Sequence, residues 1–158
     1  MTHAEPKRRA SITAGRFLSQ APEHIYAFLS QLENHISFHD RYLRLVRLRP
    51  DGQGASMVIG SPLGLHRSAK TTITTARVPS QLGGTAAVGR HTTAYVCWTI
   101  APHHSGAHVE LDASVLTASR LDKLLLAVGG RWWLQRRFDR VLARLAIVLE
   151  PQKKPAPA

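Results

Sequence analysis

The chain has 158 residues, 44% of them apolar, with 21 Lys and Arg against 10 Asp and Glu for a formal net charge of +11. That length suits one domain with its own core, and the single cysteine, Cys97, excludes an internal disulfide and any multi-cysteine zinc site. The charge favours solubility and attraction to anionic surfaces. Because the basic residues are scattered over positions 7–9, 41–49, the last helix and 153–154 without a recognisable reading element, nucleic-acid binding is the weaker expectation.

In chain order, residues 1–10 are polar and basic around Pro6 and are expected to be flexible. No apolar stretch follows Lys7, Arg8 and Arg9 as a secretory signal requires, so a cytoplasmic protein is expected. Residues 11–19 read as a strand. Ala21, Pro22 and Glu23 start a helix, Pro being tolerated in the first turn and Glu favoured at the positive end of the dipole. Ile25, Tyr26, Phe28, Leu29 and Leu32 give that helix one apolar face, and a second short helix follows over 33–39. Extended segments are predicted over 41–49, closed by the turn Pro50-Asp51-Gly52, over 55–60 and over the Thr-rich 68–77. Residues 81–89 are harder to place, because Gly83 and Gly84 weaken a strand.

Residues 92–101 and 107–118 form the clearest pair, joined by 102–106. Val109, Leu111, Ala113 and Val115 alternate with His108, Glu110, Asp112 and Ser114, so the register must set Trp98 near Val109 or Leu111, with Val96 and Ile100 on the same inner surface. Ser119 with Asp122 three residues on resembles a capping box. Gly129 and Gly130 are expected to split the helical region into a lead-in helix over 121–128 and a long one over 131–150, ended by Pro151 before a flexible tail over 151–158. In the long helix Leu134, Phe138, Val141, Leu142, Leu145, Val148 and Leu149 form an apolar stripe, with Arg136, Arg137, Arg140 and Arg144 assigned to the opposite side. Trp132 is assigned to the flank of the stripe and Trp133 to the arginine arc.

This order, a strand, two short helices, about six strands and a long C-terminal helix, is that of a helix-grip α+β domain over 11–150: a curved antiparallel sheet of six to seven strands wrapped around the last helix. The runs from Ala21 through Leu29 (APEHIYAFL), Leu32-Glu33-Asn34-His35, Tyr95 through Pro102 (YVCWTIAP) and Gly106-Ala107-His108-Val109 resemble the SRPBCC superfamily, also called START-like or Bet v 1-like, in its polyketide cyclase/dehydrase type. Two positions depart from the pattern: Phe38, where relatives often carry Trp, and Gly106-Ala107, where Gly-Thr is usual. The resemblance implies a hydrophobic cavity between the sheet and the last helix and supplies no fixed catalytic set.

The expected function is therefore binding, for transport or sequestration, of a hydrophobic small molecule such as a lipid or polyketide-like compound. Its candidate wall is Phe38, Met57, Ile73, Val96, Trp98, Leu111, Leu134, Phe138 and Val141. Tyr26, Tyr42 and Thr99 are candidate polar groups, which an alternative cyclase or dehydratase reading uses to orient a substrate while a histidine moves protons. A second alternative is contact with an anionic membrane surface, or with nucleic acid, through Trp133, Arg136, Arg137, Arg140 and Arg144. Two histidine groups have ligand-like spacing, His35 and His39 with Asp40, and His103, His104 and His108. Spacing fixes no third ligand for the first, and a hairpin tip solvates the second, so neither metal nor cofactor is expected. Glu110 and Asp112 alternate toward solvent. Gly84 to Gly89 has P-loop spacing without the Lys and Ser or Thr that contact phosphate and magnesium.

Overall fold

A computed structural model describes residues 11–39, 41–60 and 64–150. The expectations for segments 1–10 and 151–158 and for Asp40 lie outside these residues.

Strand β1 (Ser11–Leu18) leads into α1 (Pro22–Ser30), a single 3₁₀ turn (Leu32–Asn34) and the one-turn helix α2 (His35–Phe38). Six strands then follow as a meander: β2 (Leu43–Leu48), β3 (Gly54–Gly60), β4 (His66–Arg77), β5 (Gln81–Val88), β6 (Thr92–His103) and β7 (Gly106–Thr117). They make one antiparallel sheet in the order β1-β7-β6-β5-β4-β3-β2, so the segment containing α1 and α2 carries the chain from one edge of the sheet to the other. Helix α3 (Arg120–Leu125) and the long helix α4 (Arg131–Leu149) complete a helix-grip α+β fold.

Local sequence explains each junction. Pro22 and Glu23 open α1, whose inner side buries Ile25, Tyr26 and Leu29. The glycine-rich segment is a full strand, because a Cβ at Gly84 would stand 2.1 Å from the Thr72 carbonyl oxygen, an approach only glycine permits. β4 bulges between Ile73 and Thr75, opposite Gly83 and Gly84. The β6–β7 hairpin is tighter than the sequence suggests: pairing extends to His103 and Gly106, leaving His104, at φ 45°, and Ser105 as the turn. Trp98 pairs with Leu111, as alternation requires.

The Ser119 hydroxyl accepts the Asp122 N–H at 3.1 Å, capping α3. A π-turn over Leu126–Gly130 with non-helical Val128 and Gly129 then bends the chain, Gly129 taking φ 126°. The phase of α4 is set beyond that elbow. α4 runs beside β1: Arg131 donates to the Ser11 carbonyl, Gln135 to the Thr13 carbonyl at 2.7 Å, and at the far end Gln20 donates to the Leu149 carbonyl. The first two bonds occupy backbone acceptors on the edge strand β1.

The core lies toward the α1 end of the grip. There Leu18, Ile25, Leu29, Phe38, Trp98, Ile100, Val109, Leu111, Val141, Leu142 and Leu145 are almost fully buried in one cluster. Each such side chain contributes about 1.5–3 kcal/mol to closing that end by the usual transfer scale.

Candidate functional site

The inward face of the sheet changes character along its strands. On β6 and β7, Trp98, Ile100, Val109 and Leu111 are buried, whereas Ala94, Val96, Ala113 and Val115, on the same face nearer the elbow, are only half-buried. The neighbouring inward positions repeat this: Ile73 and Ala86 are half-buried, as are Leu134 and Phe138 on the first turns of α4. The grip is thus packed shut at the α1 end and looser at the elbow end, with apolar side chains that still meet solvent. Of the nine predicted wall residues, Phe38, Trp98, Leu111 and Val141 belong to the closed end, and Met57, Ile73, Val96, Leu134 and Phe138 are half-buried.

At the elbow a cleft of about 620 Å³ opens between the end of β7, the start of β1 and the α3–α4 bend, lined by Ile12, Val115, Leu116, Leu126 and Ala127, with Lys123 and Arg131 among its polar members. None of the nine predicted wall residues lines it. The apolar run Leu124–Val128 was the available signal; its contribution depends on the bend, which residue spacing alone does not give.

Across the same end of the sheet runs a polar clip. Asp122 of α3 accepts hydrogen bonds from Arg67 of β4, at 2.5 Å, and from Thr92 at the start of β6. Burial raises the Asp122 carboxyl, but the hydrogen bonding of Thr92, Arg67 and Ser119 and the Arg67 charge outweigh it and hold the group below the usual carboxylate value. The clip ties α3 to strands two apart in the sheet.

The other wall carries a cationic and aromatic cluster. Arg137 is only 9% exposed, its guanidinium 5.3 Å from the Trp133 ring and 5.8 Å from that of Tyr42, which itself lies edge-on to Trp133 at 6.0 Å. Beside it the His35 and His39 rings stack at 6.1 Å, and His35 packs against Phe38 and edge-on to Trp98. His35 Nε2 donates to the Leu29 carbonyl at 2.8 Å, which makes Nδ1 its bare nitrogen. His39 has no such partner: its Nδ1 is buried without a hydrogen bond, while its carbonyl accepts from Arg144 at 3.1 Å. Burial, then the His35, Arg137 and Arg144 charges, lower the His39 pKa to about 3; burial likewise lowers His35.

Several sequence expectations change here. Arg137 turns inward, whereas Arg136, Arg140 and Arg144 stay exposed. At 100° per residue Arg137 lies about 60° from Leu134 and about 40° from Val141, so it flanks the apolar stripe rather than opposing it. Trp133, assigned to the outer arc, is half-buried against Tyr42 and Arg137, and the exposed indole is Trp132, which has the Arg136 guanidinium 4.1 Å above its ring. Thr99 faces out, as its position between inward Trp98 and Ile100 dictates, and is no cavity group. Tyr26 is buried in the core, and Tyr42 alone of the three candidate polar groups stands in the cationic cluster. His103, His104 and His108 are exposed, and Glu110 and Asp112 lie on the outward side, where Asp112 accepts from Thr13 at 2.6 Å. Among the described residues no group of three or more His, Cys, Asp or Glu is placed to hold a metal ion, and no helix is long and apolar enough to cross a membrane.

Neither protein-family models nor curated proteins match the chain. Solved structures do. A Thermus thermophilus protein, TTHA0849, superimposes with a TM-score of 0.69 at 16% identity over 90% of this chain and 100% of its own. The KanY protein in solution gives 0.70 at 17% over 90% and 99%. The CV1439 protein of Chromobacterium violaceum gives 0.63 at 17% over 89% and 97%. At such identities the likeness is one of fold, over nearly the whole of each chain, and function rests on the site.

Proposed function

We propose that this protein binds an apolar small molecule, of lipid or polyketide-like ring type, in the open half of the grip. The observation that carries the reading is the loss of packing along the inward face, from buried Trp98 and Leu111 to half-buried Val96, Ala113 and Val115, ending in the 620 Å³ cleft. A cleft of that size falls within the range of small-molecule sites, roughly 300–1,000 Å³, and its mainly apolar wall with a few polar groups is the usual composition. The resemblance to the SRPBCC superfamily agrees with this use of the fold. Lys123 and Arg131 at the cleft suit a ligand whose polar end is acidic.

Binding is favoured over the cyclase or dehydratase alternative by the state of the His35 and His39 rings. A general base works best with a pKa near the working pH, and His39, at about 3, is neutral and weakly basic. His35 donates Nε2–H to the Leu29 carbonyl, and burial holds its pKa below the usual histidine value, which weakens its free Nδ1 as a base.

The test is titration with a fluorescent apolar dye and with long-chain fatty acids. Saturable one-to-one binding is expected, weakened at least roughly tenfold by Val96→Trp or Val115→Trp, which fill the open half, and unchanged by Ile147→Trp on the exposed side of α4. Binding that ignores both filling substitutions would refute the placement.

A further inference from the structure

The elbow between α3 and α4 shows solvent an apolar face that the ligand-binding reading does not use. Leu121, Leu124, Leu125 and Val128 follow one another at helical spacing, and Trp132 comes one turn later, beyond the bend. All five are exposed, Val128 by 71% and Trp132 by 61%. Leu124, Val128 and Trp132 do not line the cleft. A soluble domain scatters single exposed apolar residues, but a contiguous set on one prominence marks a contact surface.

The charge around the set indicates what it contacts. Over residues 120–136 the cations are Arg120, Lys123, Arg131 and Arg136, all exposed, and the one acid is Asp122, turned inward and paired with Arg67. A second copy docked about a twofold axis would set these cations against their equivalents. A nucleic acid would use the charge and leave the aliphatic side chains without a partner. An apolar prominence ringed by basic residues, with an Arg-capped Trp at its end, matches the layered chemistry of an anionic bilayer surface, hydrocarbon beneath phosphate.

We infer that the α3–α4 elbow is a peripheral docking surface for anionic lipid bilayers, with Leu121, Leu124, Leu125, Val128 and Trp132 entering the interface and Arg120, Lys123, Arg131 and Arg136 meeting the headgroups. Docked this way, the protein holds the mouth of its cleft at the membrane, because Leu126 and Ala127, between the inserting residues, line that cleft.

The experiment is co-sedimentation of the full chain with vesicles of phosphatidylcholine alone and with about one-third phosphatidylglycerol, at low and high salt. Expected are binding to the anionic vesicles only, weakening with salt, and a loss of at least roughly tenfold in Leu124→Asn/Val128→Asn. The thermal midpoint of that variant should be unchanged, since both side chains are exposed. In the unsubstituted protein, tryptophan emission should shift to the blue on vesicle binding and be quenched by brominated lipid, and Trp132→Phe should remove most of the effect. Failure to bind anionic vesicles would overturn the inference. So would binding indifferent to the double substitution but abolished by Arg140→Ala/Arg144→Ala, which would leave charge alone as the cause. Self-association in sedimentation velocity that the double substitution abolishes, without lipid binding, would assign the face to a second copy instead.

Discussion

Replacing His39 by leucine should make the protein more resistant to acid. His39 is half-buried with its Nδ1 buried and unpartnered, and two arginines lie close enough to disfavour its charged form. Its pKa falls from 6.5 to about 3. Above pH 6.5 the ring is neutral in both states and contributes no pH dependence. Below it the unfolded chain takes up a proton that the folded chain refuses, so stability falls with pH until about pH 3. At pH 5 the difference amounts to roughly 2 kcal/mol, taking one pKa unit as about 1.4 kcal/mol. His35, also lowered by burial, adds to the loss in the same direction. Urea unfolding at pH 7.5 and pH 5 is the assay. His39→Leu should lie within about 1 kcal/mol of the parent at pH 7.5, because it removes a buried polar atom that makes no bond, and should recover about 2 kcal/mol of the parent's loss at pH 5. An equal loss in parent and variant would refute the reasoning and place the acid sensitivity elsewhere.

Arg67→Ala should cost about 2 kcal/mol in urea unfolding at pH 7, between the values for exposed and buried ion pairs, since Arg67 is part-exposed and Asp122 is not. Because the Asp122 pKa is lowered in the folded state, this contribution is complete above pH 3.8 and is lost as pH falls through the folded value, so the gap between parent and variant should narrow in strong acid. Gly84→Val should prevent soluble expression or cost more than about 3 kcal/mol, because its Cβ would displace the Thr72 backbone on β4.

Much of the fold was legible because two periodicities dominate the chain. Val109, Leu111, Ala113 and Val115 alternate strictly, which fixed the face of β7 and, through the Trp98–Leu111 pair, that of β6. Pro22-Glu23, Ser119-Asp122 and Gly129-Gly130 marked junctions through local chemistry that does not depend on tertiary contacts. The site was less legible for a physical reason: alternation says which way a side chain points, not how well the opposite layer covers it. Val96 and Trp98 share a face and a strand, yet one is half-buried and the other buried, because α1, α2 and the second half of α4 cover only one end of the sheet. The Arg67–Asp122–Thr92 clip joins residues as much as 55 positions apart, with nothing in their local patterns to announce it.

The helical region from 120 to 149 shows why counting apolar residues misleads where phase does not. Taken together, Leu121 to Leu149 looks like one long hydrophobic helix with arginines behind it. On an ideal wheel, however, Leu121, Leu125, Val128 and Trp132 lie roughly 135° around from the stripe of Leu134, Val141, Leu145 and Leu149. No single face can bury both sets. The chain resolves the conflict by binding the later stripe to the sheet and bending at Gly129, which leaves the earlier set exposed beside the cleft that Leu126 and Ala127 line. A helix selected only to close a core would place polar residues at 121, 124, 125, 128 and 132, at little cost to folding. The presence of large exposed apolar side chains at all five is what the proposed bilayer contact would use, and it sets the basic charge of the elbow beside the same surface.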